Sequence, residues 1–158
     1  MIQARQTVFY SVHGVPDSVD GRYEMIALHV FLVLQQLKAS GEGGLAQDLF
    51  DTMFADMDQS LREMGAGDLG VGRRVRAMAE GLYGRIAAYE AGLAGNDETL
   101  AAALRRNLYG TVSGPGPDGA ALSALCRYVR EAAALLRAQT APALSAESLR
   151  FPSVPGSP

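Results

Sequence analysis

Apolar residues recur every three or four positions through most of this chain. That spacing constrains the fold before any other property does, because it is the period of an α-helix with one buried face. The division is cleanest over residues 45–64. There Leu49, Met53, Met57, Leu61 and Met64 fall on one side with Phe50 and Phe54, while Asp48, Asp51, Asp58, Gln59 and Arg62 fall opposite. Residues 20–40, "DGRYEMIALHVFLVLQQLKAS", contain no proline and end before Gly41, Gly43 and Gly44, so they read as a helix that stops in a glycine-rich connector. Tyr23, Ile26, Val30, Leu34 and Leu37 form one stripe on it, and Leu28, Phe31 and Leu32 a second. A helix apolar on two faces belongs in the middle of a bundle.

Further along, Val71, Val75, Met78, Leu82, Ile86, Tyr89 and Leu93 predict a long helix running to about Ala94 and stopping at Gly95. Asn96 or Asp97 then caps a shorter helix with Leu100, Leu104 and Leu108 inward. A last helix is expected over residues 120–138, with Leu122, Leu125, Val129, Ala132 and Leu136 inside. Pro142, Pro152, Pro155 and Pro158 then prevent helix in the tail, which Leu149 and Phe151 can still pin to the bundle. The expected fold is all-α: a single-domain helical bundle of about five main helices plus a short N-terminal helix, with residues 1–138 as the helical domain and 139–158 as a Pro-rich tail.

Gly65, Gly67 and Gly70 in "EMGAGDLGVGRRVR" spell G-x-G-x-x-G. Cradling a pyrophosphate with that motif requires a buried strand before it. Here it follows a helix, so it reads as a helix-to-helix connector in which Gly65 ends one helix and Asp68 caps the next.

The formal net charge of -3 argues against generic binding of DNA or other nucleic acid, which relies on a basic surface. One cysteine, Cys126, can form no internal disulfide and reads as a small buried apolar residue. His13 and His29 stand too far apart in the chain to present a metal-ligand spacing, and no metal or cofactor is expected. His29 reads as a core or boundary histidine. The longest apolar run, residues 25–34, is about half a membrane span, and the first residues have no continuous apolar stretch. The expectation is a soluble, unexported protein without stable membrane insertion.

No nucleophile elbow or Cys and His signature is present, and Asp51 and Asp58 share what reads as a solvated face, so no catalytic residue is named. Two features suit a binding surface better. Arg73, Arg74 and Arg76 crowd the opening turns of a helix, where positive charge opposes the macrodipole. They read equally as scattered surface arginines, with Arg76 paired to Glu80. Met53, Met57, Met64 and Met78 concentrate on facing helices, as plain core or as an adaptable groove. Tyr83 falls outside the apolar stripe of its helix, and exposed Tyr with Arg is the composition of interface anchors.

"GVPDSVDGRYEMIALHVFLVLQQL", "DLFDTMFADMDQSLREMGAGDLGVGRRVRAMAEGLYGR" and "AYEAGL" together resemble the ubiquinol-cytochrome c chaperone family over residues 9–109. The resemblance implies an all-helical protein without catalysis that holds newly made cytochrome b, or another hydrophobic membrane-protein client, during assembly of respiratory complex III. That picture fits the two features above, and the residues expected to bind a partner are Arg73, Arg74, Arg76, Tyr83, Arg85, Met53 and Met57. The arginines would meet the ribosome, an anionic membrane surface or a partner's acids. Two departures accompany it: the long N-terminal extension of mitochondrial members is missing, and Leu82 stands where an aromatic is expected. The first points to a bacterial cytoplasmic protein, at most peripheral to the inner membrane. The alternative expectation is a small-molecule-binding helical protein or enzyme with a pocket near His29. A third, a helical nucleic-acid regulator, is disfavoured by the acidic balance.

Overall fold

A computed structural model describes residues 2–63, 67–112, 116–139 and 149–156, and it is organised around one helix. After a 3-10 turn at Gln3–Arg5, the helices are α1 (Thr7–Ser11), α2 (Val19–Ala39), α3 (Gly43–Glu63), α4 (Asp68–Ala94), α5 (Asp97–Leu108) and α6 (Gly119–Ala138). Among the described residues there is no strand. The main helices fall within about two residues of the bounds expected from periodicity.

Helix α2 begins where the Ser18 side chain accepts a hydrogen bond from the Gly21 amide, and Asp20 places negative charge on the positive end of the macrodipole. Every residue from Tyr23 to Leu32 is buried, and α2 packs on α3, α4, α5 and α6, the central position that its two apolar faces imply. Burying each large side chain here stabilises the fold by about 1.5–3 kcal/mol. A Cβ on Gly21 would overlap the Pro16 carbonyl, so the loop before the helix can lie this close only because the residue is glycine.

Helix α3 lays Met53, Met57 and Leu61 into the core and leaves Leu49, Phe50 and Phe54 half-buried along its flank. Helix α4 starts one residue earlier in its cap than expected. Gly67, in extended backbone, is the N-cap and makes no side-chain cap bond, while Asp68 is already the first helical residue. The expected capping role of Asp68 is therefore corrected; the expected stop at Gly65 lies outside the described residues.

Helices α4 and α5 form a tight corner. A Cβ on Gly92 would lie 2.9 Å from the Leu100 Cα, and Asn96 caps α5 by accepting from the Thr99 amide at 2.9 Å. Arg130 of α6 fastens the corner, with Nη2 donating to the Gly95 carbonyl at 3.0 Å and Nε to Asp97 at 2.7 Å. Asp118 caps α6 by accepting from the Ala121 amide at 2.6 Å.

The last described segment returns to the bundle. Val154 is buried, Leu149 and Phe151 pack against the core, and Gln139 and Arg150 exchange two hydrogen bonds at 2.9 Å. His13 Nε2 donates to the Pro155 carbonyl at 2.7 Å, and Gln3 Nε2 donates to that of Pro152 at 3.2 Å.

Candidate functional site

Three helices meet to form an open apolar groove. Phe31 and Leu34 of α2, Ala46 of α3, and Tyr83 and Ile86 of α4 line a cavity of about 540 Å³, with Lys38 and Glu90 at its polar edge. The α2 to α3 connector bounds one end, where Gly41 adopts φ +76°, a left-handed conformation that favours glycine. Beside the cavity the rings of Phe50 and Phe54 lie 4.7 Å apart, and Phe50 lies 6.2 Å from Tyr83. Tyr83 is 66% exposed, an unusual position for a large aromatic set beside another.

The exposed residues of α4 continue this face. Arg73, Arg76, Glu80 and Tyr83 are spaced by three and four positions, so they share one side of the helix, and all four are exposed. Arg76 pairs loosely with Glu80 at 3.7 Å, and Arg74 reaches Asp20 of α2 at 3.1 Å. Exposed pairs of this kind contribute about 0–1 kcal/mol and exchange readily for another anion. Arg73 forms no ion pair with any described residue.

Arg85 is placed differently from its expected docking role. Its Nε donates to Glu24 Oε2 at 2.6 Å, a second bond joins Nη2 to Glu24 Oε1, and the guanidinium lies 5.3 Å above the Tyr23 ring. These hydrogen bonds raise the Arg85 pKa, and burial pushes Tyr23 up to about 12. The Tyr23 hydroxyl donates to the Met78 carbonyl at 2.7 Å. Arg85 thus joins α4 to α2 from inside, and the sequence reading did not single out its partner Glu24.

Met53 is fully buried and Met57 nearly so, which makes them core in this conformation; the open part of the α3 flank is aromatic instead. Met64 lies outside the described residues. The structure therefore gathers Tyr83, Arg73 and Arg76 on one face with Phe50 and Phe54, places Arg74 beside it, and draws Arg85, Met53 and Met57 inward. The phenylalanines were visible in the sequence only as part of the α3 stripe; nothing in their spacing marks them as its exposed edge.

His29 is fully engaged. Nδ1–H donates to the Met25 carbonyl at 2.7 Å, which leaves Nε2 to accept from the Tyr128 hydroxyl at 2.8 Å; Tyr128 in turn accepts from Gln3 Nε2 at 3.0 Å. Phe9 and Phe151 rings lie 5.5 Å and 5.3 Å from the imidazole. Burial pushes its pKa down to about 4, so it is neutral at pH 7. A cavity of about 340 Å³ lies beside it, lined mainly by α2 and α3 apolar residues, with Gln3, Asp48 and Thr52 as further polar members. Both imidazole nitrogens are already spent on the protein. Cys126 is buried and its thiol pKa is raised by that burial, the environment of an unreactive thiol. Among the described residues, no three His, Cys, Asp or Glu side chains are grouped to hold a metal ion.

An all-helical scaffold with an open, partly aromatic groove and a run of exposed arginines on the same helix belongs to the class of helical-bundle proteins. More particularly, the chain belongs to the ubiquinol-cytochrome c chaperone family, whose model matches residues 11–151. It is similar to ubiquinol-cytochrome-c reductase complex assembly factor 1 of Xenopus laevis, 30% identical over 78% of this chain and 61% of the relative. The factor of the same description from Mus musculus is 28% identical over 74% of this chain and 39% of its own length. The chain thus spans less than two thirds of the length of these curated relatives. Among solved structures, the Cbp3 homolog from Brucella abortus superimposes with a TM-score of 0.81 at 40% identity, over 96% of this chain and 83% of that one. Among the described residues, no helix is long and apolar enough to cross a membrane.

Proposed function

We propose that this protein is an assembly chaperone for ubiquinol-cytochrome c reductase that binds newly made cytochrome b and performs no catalysis. The carrying observation is the α2/α3/α4 groove with Tyr83 exposed against Phe50. Shielding a membrane segment before its partners arrive needs apolar surface that is ordered but not closed, and adaptable aromatic contacts provide it at low entropic cost. Arg73 and Arg76 extend that face and Arg74 stands beside it; Arg74 and Arg76 are held only by exposed pairs and Arg73 by no ion pair among the described residues, an arrangement suited to a surface bearing phosphates. Family membership supports the assembly role.

The test is photocrosslinking from position 83 in growing cells, with position 150 as a control site away from the groove. Cytochrome b peptides are expected from position 83 alone. Replacing Tyr83 and Phe50 with alanine should lower membrane b-type haem several-fold while leaving the protein folded. Unchanged haem and assembled reductase in that strain would overturn the proposal.

A further inference from the structure

A second cavity of about 540 Å³ opens away from the groove, between the N-terminal segment and helices α2, α3 and α4. Its floor is apolar: Ile26, Met57, Leu61 and Met78 are all buried, and the neighbouring Tyr23 hydroxyl is already given to the Met78 carbonyl. Its edge carries charges of both signs: Arg5 and Arg22 stand near Tyr10, with Asp17 and Glu63 on the same opening. Burial foremost raises the Tyr10 pKa, while the two arginines oppose the rise and Asp17 adds to it. Tyr10 donates its proton to the Ala4 carbonyl at 3.0 Å.

The two arginines keep donors in reserve. Arg22 meets Asp17 through Nε at 2.6 Å, and Arg5 meets Asp56 through a single long contact of 3.4 Å. All four side chains are at least 40% exposed, so each pair is weak and its carboxylate can be replaced by another oxyanion. The remaining acid at the edge, Glu63, already accepts from Gln59 Nε2 at 2.8 Å. Thr7 and Ser60 add hydroxyls around the opening. The volume is within the range of about 300–1,000 Å³ usual for small-molecule sites, and a greasy floor under a polar, cation-bearing edge selects a molecule of the same division.

We infer that this cavity binds a single-chain anionic amphiphile, with its oxyanion head between Arg5 and Arg22 and its apolar chain on Ile26, Met57, Leu61 and Met78. The site stands apart from the groove assigned to the client, so either can fail without the other. Bound there, the amphiphile bridges the N-terminal segment to α3 and α4.

The experiment titrates the full chain calorimetrically with dodecyl phosphate below its micellar concentration, beside inorganic phosphate and uncharged dodecyl maltoside. One saturable site is expected for dodecyl phosphate, weakened about ten- to a hundred-fold by the exposed double substitution R5Q/R22Q. A fatty acid carrying a photoreactive chain should label Ile26, Met57, Leu61 or Met78. Dodecanoate and lysophosphatidic acid, titrated in parallel, separate a free fatty acid from a phospholipid; either binding supports the site. The inference is overturned if binding never saturates, if R5Q/R22Q binds as tightly as the parent, or if label falls elsewhere. It is equally overturned if inorganic phosphate or dodecyl maltoside matches dodecyl phosphate.

Discussion

His29 carries no proton to spare, and that gives the fold a pH dependence. Its pKa falls from an ordinary 6.5 to about 4 on burial, so between those values the unfolded chain binds a proton that the native chain refuses. Stability from this residue is complete above pH 6.5 and is lost as pH falls through 4. The full difference is about 3 kcal/mol. Urea unfolding at pH 7.5 and pH 5 should show the parent losing part of this, and His29→Gln losing measurably less between the same two pH values. Equal pH slopes for both would show that the imidazole is not responsible. That His29 sits in the core was readable from its place in an apolar run. Its bonds to Met25 and Tyr128 were not, because Tyr128 lies on another helix and spacing along one helix says nothing about partners across the bundle. The same limit hid Glu24. On sequence it is one acid in a greasy helix and Arg85 one arginine near an exposed tyrosine, and only packing turns them into an internal pair.

Helices were legible almost to the residue because each is periodic, with Asn96 readable as a cap and Gly95 as a stop; the caps at Ser18 and Asp118 emerge only from the fold. The start of α4 was misread by one position, since a glycine cap offers no side chain for a sequence argument to use. The glycines of α4 also divide by a criterion that only the fold supplies. Gly92 is held against the backbone of Leu100, whereas a Cβ on Gly84 would meet nothing within 4 Å. Gly84→Ala should therefore stabilise the protein by about 0.5–1 kcal/mol through helix propensity alone. Gly92→Ala should destabilise it despite the same propensity gain, by about 1–3 kcal/mol as α4 and α5 are forced apart. Denaturant midpoints decide the matter, and a shift of the same sign in both variants would contradict the close approach.

At the scale of the molecule, the Pro-rich end shows how an absence of helix differs from an absence of structure. Proline has no backbone N–H to give a helix but keeps its own carbonyl free to accept, and here Gln3 and His13 donate to the carbonyls of Pro152 and Pro155. The segment thereby ties the first turns of the chain to its last described residues, with Val154 buried and Phe151 set against His29 beside the α2/α3 cavity. Removing residues 149–158 would uncover both the imidazole and the apolar wall beside it. Thermal unfolding of that truncation should fall by several degrees, and Phe151→Ala should lose about 2–4 kcal/mol, less than a fully buried phenylalanine because the ring is only partly covered. Binding of 1-anilinonaphthalene-8-sulfonate should rise in the truncated protein as the cavity opens to solvent. If melting temperature and dye binding both stay at parent values, the contacts from Gln3, His13 and His29 contribute nothing to holding the bundle closed.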